Sequence, residues 1–359
     1  MKNLLKLALA FVCSISLVAC SDDDGGSSTP PAPTIGNKIY VLSEGSYTSK
    51  INGDLTAYDP TTKDFVNGFF KATNQRALTG TSNDGIVYGS KLYIANTDEN
   101  IIEVANATNA KCITQITFRG ARCIVADGGY IYVTSYTDNT VSKIDTINYR
   151  VVATESTDTY PEGMAISNGM LYVANSGYGN GNTLTVINLS TFKKDSKINV
   201  PTNPVSIVAK GDELFLACSG KYKADWSGYE ENPAVYSLAA DGTTTKIADA
   251  TLMALYDNTI YLVDNNYYST TGITYSTYDI STRSLTAWTP SELPYAPYAL
   301  GVNPANGDVY ITSQNSIDYG TGTLYPDYNG NGYVMRYSKN GTKLDKFACG
   351  VNPGTIIFF

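Results

Sequence analysis

The sequence predicts an all-β fold, a seven-bladed β-propeller closed by its C-terminal strand pairing into the first blade, and two features of its repeats carry that reading. One short strand with a central aromatic residue recurs seven times: Ile39-Tyr40-Val41, Leu92-Tyr93-Ile94, Ile131-Tyr132-Val133, Leu171-Tyr172-Val173, Leu214-Phe215-Leu216, Ile260-Tyr261-Leu262 and Val309-Tyr310-Ile311. The aromatic positions are separated by 53, 39, 40, 43, 46 and 49 residues, and a period in the forties is that of a four-stranded propeller blade. The second feature is the C-terminal stretch Asn352-Pro353-Gly354-Thr355-Ile356-Ile357. It has the form of Tyr160-Pro161-Glu162-Gly163-Met164-Ala165-Ile166 and of Asn203-Pro204-Val205-Ser206-Ile207-Val208, and nothing of that form precedes Tyr40. The last strand should therefore supply the first blade's innermost strand, which removes the exposed edges of an open sheet.

Composition agrees. A chain of 359 residues would ordinarily divide into two or three domains, but all-β rings of this length form one unit. The hydrophobic fraction of 43% is ample for a core, and 29 tyrosines with 31 glycines point to sheets and tight turns. Histidine is absent, which excludes Ser-His-Asp and Cys-His nucleophile systems, imidazole general bases and His-ligated zinc. A formal net charge of −8 argues against nucleic acid as a partner.

Residues 1–19 read as a lipoprotein signal: Lys2 and Lys6 are followed by an apolar run too short to span a bilayer, ending in Leu17-Val18-Ala19-Cys20. Cleavage would leave Cys20 as the lipidated first residue and bring the formal charge to −10. Residues 20–36, with Ser21-Asp22-Asp23-Asp24 and a Gly/Ser/Pro-rich continuation, read as a flexible tether. The acidic run resembles the export signal of surface-displayed lipoproteins in Bacteroidota, so the expected location is the outer membrane, lipid-anchored and exposed at the cell surface. Residues 37–359 are the propeller. Its cysteines, Cys112, Cys123, Cys218 and Cys349, lack metal-type spacing and are expected as small buried hydrophobes.

Within each repeat an innermost strand, a tight turn such as Asn168-Gly169, the aromatic strand and two further strands follow in order; blade 4 is read as 163–166, 171–173, 183–188 and 197–200. In such a meander the connections from second to third strand share one face with those between blades. The turns on the opposite face are terse. On the first face the connections at 43–53, 175–182, 218–233, 264–272 and 313–332 are long and carry Tyr47, Tyr178, Tyr222, Trp226, Tyr229, Tyr267, Tyr268, Tyr319, Tyr325 and Tyr328 among Gly, Ser, Asn and Asp. This is the composition of a binding surface, in which aromatic rings give contact area at low entropic cost. The tyrosines of the repeated strand are expected instead to pack between blades.

Lesser motifs carry less. Asp327, Asn329 and Asn331 match the first half of a calcium loop, but Ser338 stands where the bidentate glutamate belongs, and a Gly-Asn turn is the simpler reading. Glu44, Asn175 and Asp264 end equivalent strands and could converge on the central channel, as a metal-dependent hydrolase would require.

The pattern Tyr160-Pro161-Glu162-Gly163, Asn168-Gly169, Leu171-Tyr172-Val173-Ala174-Asn175 and Thr183 to Asn188 resembles the surface-layer-type propellers of the YncE-like class. Tyr40-Val41-Leu42-Ser43-Glu44-Gly45, Asn74 to Arg76, Asn83-Asp84 with Tyr88-Gly89, Ser135-Tyr136, and Pro297-Tyr298 leading to Gly307-Asp308-Val309-Tyr310-Ile311-Thr312 resemble the BtuG family within it. It departs from that pattern at Gly120-Ala121-Arg122, where a proline would precede the arginine, and in the length of the 313–332 loop. The resemblance implies a non-enzymatic surface lipoprotein that captures corrinoids such as cobalamin and passes them to a BtuB-like TonB-dependent outer-membrane transporter, with no cofactor of its own. It implies ligand contacts at Glu44, Tyr47, Arg76, Arg122, Tyr136, Tyr178, Tyr222, Trp226, Tyr268 and Tyr319. Without histidine, cobalt would keep its axial ligands and recognition would be peripheral. A carbohydrate-binding lipoprotein would use the same aromatic face, and a hydrolase would need the channel carboxylates.

Overall fold

The computed structural model describes residues 38–266 and 272–359. The signal, the tether with Cys20, and Tyr267 and Tyr268 lie outside them. The described residues form seven four-stranded antiparallel sheets arranged as the blades of a propeller. Blade 1 is completed by the last strand: Pro353–Ile357 pairs with Ile39–Ser43, which pairs with Asp54–Tyr58 and then Phe65–Val66. Blades 2 to 7 have their innermost strands at Ser82–Tyr88, Ala121–Asp127, Pro161–Ser167, Pro204–Lys210, Leu252–Tyr256 and Ala296–Val302.

The repeated aliphatic-aromatic-aliphatic strand has a geometric cause. Successive side chains of a strand point to opposite faces, and in a propeller both faces of a blade are covered by neighbours. Tyr40 packs toward blade 2 with Leu92 and Ile94, while Ile39 and Val41 pack back toward blade 7 with Val334 and Phe347. The same holds around the ring: Tyr93 meets Ile131 and Val133, Tyr132 meets Leu171 and Val173, and Phe215 meets Ile260 and Leu262. Each seam thus receives one blade's aromatic and the next blade's aliphatic pair. At two of these seams the hydroxyl is used as well. Tyr40 Oη donates to the Ala107 carbonyl (2.9 Å) and Tyr261 Oη to that of Lys339 (3.3 Å), both in the outer turn of the following blade.

Three local features differ from the sequence reading. The 53-residue first step contains a short helix, Phe69–Asn74, whose Phe69 and Phe70 are buried in the seam between blades 1 and 2. Two small hairpins, Lys221–Tyr222 with Tyr229–Glu231 and Ser316–Asp318 with Leu324–Pro326, rise from the long loops of blades 5 and 7. The outer strand of blade 4 runs Lys193–Asn199 rather than 197–200. Being the outermost strand it is almost wholly exposed, so its lysines obscure it as a strand. Cys112, Cys218 and Cys349 are buried as expected, and Cys123 is half-buried.

Candidate functional site

Six of the seven innermost strands carry a β-bulge near their start, at Asn83, Arg122, Glu162, Val205, Tyr298 and Gly354. A bulge re-aims the side chain it carries. Here the bulges lie at the ends of the strands that meet the loop-rich face, beside the central channel.

A half-buried ionic cluster gathers there. Tyr298 Oη donates to Glu44 Oε2 at 3.1 Å, and Arg122 Nε donates to Glu162 Oε2 at 2.7 Å. Asp84 accepts the backbone N–H groups of Gly85 and Ile124, each at 2.8 Å, and so ties blade 2 to blade 3. Loss of solvent pushes the Asp84 carboxyl up to about 6, against the pull of those N–H groups and of Arg122. Burial likewise raises Glu44, with Arg122 and the Tyr298 hydroxyl opposing and Glu162 assisting. Burial works against the charge on Arg122, yet Glu162 and Glu44 more than offset it and hold the guanidinium firmly protonated. Three carboxylates thus face one guanidinium. Gly354 is part of the construction, because a Cβ at that position would lie 3.0 Å from Glu44 Cγ and closer still to its carboxylate.

Beside this cluster, on the same face, a cleft of about 460 Å³ opens between the loops of blades 6 and 7. Tyr295, Pro297, Tyr298, Leu324, Tyr325 and Tyr328 line it, with amides from Asn265 and Gln314. Tyr298 belongs to both features, its ring in the cleft and its hydroxyl on Glu44. Further out, Tyr136, Tyr160 and Tyr178 form a string with ring centroids 6.0 and 5.2 Å apart, and Tyr178 is 80% exposed. Tyr222 stacks on Tyr229 at 4.3 Å with their hydroxyls 2.7 Å apart, and Trp226 lies against Tyr222 at the hairpin end. Tyr47 is exposed under the Lys50 ammonium, and Tyr319 pairs with Tyr325.

Of the expected site residues, Glu44 and Arg122 meet at the channel mouth, and Tyr47, Tyr136, Tyr178, Tyr222, Trp226 and Tyr319 lie on the loops of its face. Arg76 is engaged elsewhere, bonded to the buried Glu103 at 2.6 Å and stacked over Phe70. Asn175 and Asp264 do not join Glu44. The Asn175 amide donates to Thr183 and Thr185 within its own blade, and Asp264 accepts the N–H of Asn266. At the half calcium loop, Asp327 Oδ1 accepts the N–H groups of Asn329 and Gly330, while Asn329 Oδ1 accepts the Ser46 and Ser49 hydroxyls; Asn331 begins a strand. That is an Asx turn pinning the blade 7 loop to blade 1. Among the described residues no group of three or more His, Cys, Asp or Glu side chains is arranged to hold a metal.

Asp84, Glu162 and Tyr298 are the residues the sequence reading left unassigned. Superposing the starts of the innermost strands (Ala121-Arg122-Cys123, Pro161-Glu162-Gly163, Pro297-Tyr298-Ala299, Pro353-Gly354-Thr355) puts Arg122, Glu162, Tyr298 and Gly354 in one column. That alignment was the available signal for Glu162 and Tyr298.

Neither a protein-family model nor a curated protein sequence matches the chain. Solved structures do. A protein from Lactobacillus plantarum superposes with a TM-score of 0.60 at 15% identity, covering 89% of this chain and 98% of that one. Hydrazine synthase of Kuenenia stuttgartiensis gives 0.59 at 15% identity over 77% and 89%, and a streptogramin B lyase 0.52 at 10% over 74% and 82%. The likeness is one of fold. These neighbours include enzymes and a protein with no stated activity, and at such identities none carries its chemistry to the cluster around Glu44.

Proposed function

We propose that this chain is a surface-displayed lipoprotein, anchored through Cys20, that captures a corrinoid such as cobalamin on its loop-rich face and passes it to a TonB-dependent outer-membrane transporter. One observation carries the reading. Segments that resemble the corrinoid-capturing family, at Glu44 and Asp84 and, more than 200 residues further along the chain, at Tyr298, come together at the channel mouth beside a tyrosine-lined cleft. A corrinoid is a broad disc rimmed with amides. Tyrosine faces can stack on such a disc, and the carboxylates and guanidinium at the mouth can pair with its rim. With no histidine in the chain, binding leaves the cobalt's axial ligands in place. The role is capture rather than catalysis.

Calorimetric titration with cyanocobalamin tests the reading. Micromolar or tighter binding is expected, with the cobalt absorption bands keeping the pattern of the six-coordinate cofactor, and Arg122→Met should weaken binding at least tenfold. Absence of binding at micromolar concentrations overturns it.

A further inference from the structure

The cleft between the loops of blades 6 and 7 differs in chemistry from the charged mouth it adjoins. None of the described residues lining it carries a formal charge, on a protein whose net charge is −8. Larger grooves of about 650 Å³ between the outer strands of blades 5 and 6 are lined instead by ion-paired side chains, Lys246 with Asp249 and Arg283 with Glu213. An ionic ligand entering the cleft would leave its charge without a partner, which is costly.

Its walls are aromatic and open to solvent: Leu324 is 54% exposed, Tyr325 39% and Tyr328 59%. Contiguous exposed apolar surface in a concavity marks a binding site more often than scattered exposure does. The two lining amides donate within the protein. Asn265 Nδ2 donates to the Pro297 carbonyl, and Gln314 Nε2 to Asn352 Oδ1. The tyrosine faces offer stacking area to a flat ring, and their hydroxyls can bond its edge. The walls are also held in advance. Asn352 Nδ2 donates to the Tyr328 carbonyl at 3.1 Å, the Tyr295 N–H to Tyr333 Oη at 2.8 Å, and Ser49 Oγ to Asn329 Oδ1 at 2.6 Å. Little ordering is left to oppose binding. At about 460 Å³ the cleft admits a bicyclic ring and part of its attachment.

We infer that this cleft is a subsite for an uncharged, flat heteroaromatic ring, clasped between Tyr298, Tyr325 and Tyr328. The inference rests on ligand capture by the loop-rich face but not on the identity of the captured ligand.

Saturation-transfer NMR on the purified protein with benzimidazole, and with benzoate as a charged ring of similar size, tests it. Benzimidazole should receive saturation and benzoate should not, and both Tyr325→Ala and Leu324→Asp should weaken benzimidazole binding at least fivefold. Both substitutions fall in an exposed hairpin, so the thermal midpoint should not move; if one variant does unfold, the other carries the comparison. Benzimidazole binding unchanged in the folded variants, absent altogether, or matched by benzoate overturns the inference. Benzimidazole binding without cyanocobalamin binding would overturn the corrinoid reading alone, and the reverse would overturn the subsite alone.

Discussion

Tyr298 and Glu44 stand 254 positions apart in the chain, in the last and first blades, and are joined by one hydrogen bond of 3.1 Å at the channel mouth. The bond couples the ring's closing seam to the candidate site. Tyr298→Phe keeps the ring and removes the donor, leaving a buried carboxylate short of a partner. The expected cost is about 1–2 kcal/mol of folding stability at neutral pH, read from the urea midpoint.

Gly354→Ala attacks the same carboxylate from the other side. Its methyl would occupy the space of the Glu44 side chain, so Glu44 must leave its rotamer and lose Tyr298. A loss of about 1–3 kcal/mol follows, together with weaker cyanocobalamin binding in the calorimeter. A variant as stable and as tight-binding as the natural protein would mean that Glu44 has another place to go.

Asp84 gives a pH dependence with a definite sign. Buried among the Gly85 and Ile124 N–H groups, near Arg122 and Cys123, its carboxyl titrates at about 6 rather than its ordinary 3.8. The folded state therefore binds the proton more tightly than the unfolded one, and this contribution to stability is lost as pH rises from about 4 through 6. Asp84→Asn should be less stable than the natural protein at acid pH, having lost an acceptor. The gap should narrow by roughly 1–3 kcal/mol between about pH 4.5 and 7, in paired denaturation curves. A constant gap would remove Asp84 as a titrating group.

Arg76→Ala separates architecture from recognition. It removes the charge partner of Glu103, whose side chain is only 1% exposed and would keep only the Gln115 amide as a donor, and should cost about 2–4 kcal/mol in a thermal or urea melt. Cyanocobalamin affinity of the folded variant should be unchanged, since Arg76 is spent on Glu103, Cys112 and the Phe70 ring. A matching loss of affinity would return Arg76 to the site.

Deleting residues 353–359 strips blade 1 of its innermost strand and exposes the inner edge of Ile39–Ser43. The single cooperative unfolding transition should be lost and the chain should self-associate, as size-exclusion chromatography would show.

The ring and its closure were legible because each blade is covered on both faces, so the repeated strand had to alternate aliphatic and aromatic residues seven times. The helix Phe69–Asn74 was not legible, since six residues give too little periodicity, and neither was Lys193–Asn199, a strand whose outer position permits lysines. At the site, Glu44 stood out as a charge at a strand end, and Arg122 was offered only by the family resemblance. Glu162 and Tyr298 did not, because their meaning lies in a shared bulge position on blades 4 and 7, visible only once the repeats are superposed. The Arg76 to Glu103 pair joins residues 27 apart, one on the connection leading into blade 2 and one inside that blade, and no spacing rule announces it.

The clasp between Pro353–Ile357 and Ile39–Ser43 also sets an order of events in the life of the molecule. The carboxylate of Glu44 is among the first groups of the propeller to be synthesised, and the Gly354 floor it rests on is among the last. No chain that still lacks its last strand can hold that pocket, so the surroundings of Glu44 are completed all at once, with the final turn of the wheel. Any ligand that needs Glu44 in place would thereby report that the protein has finished folding.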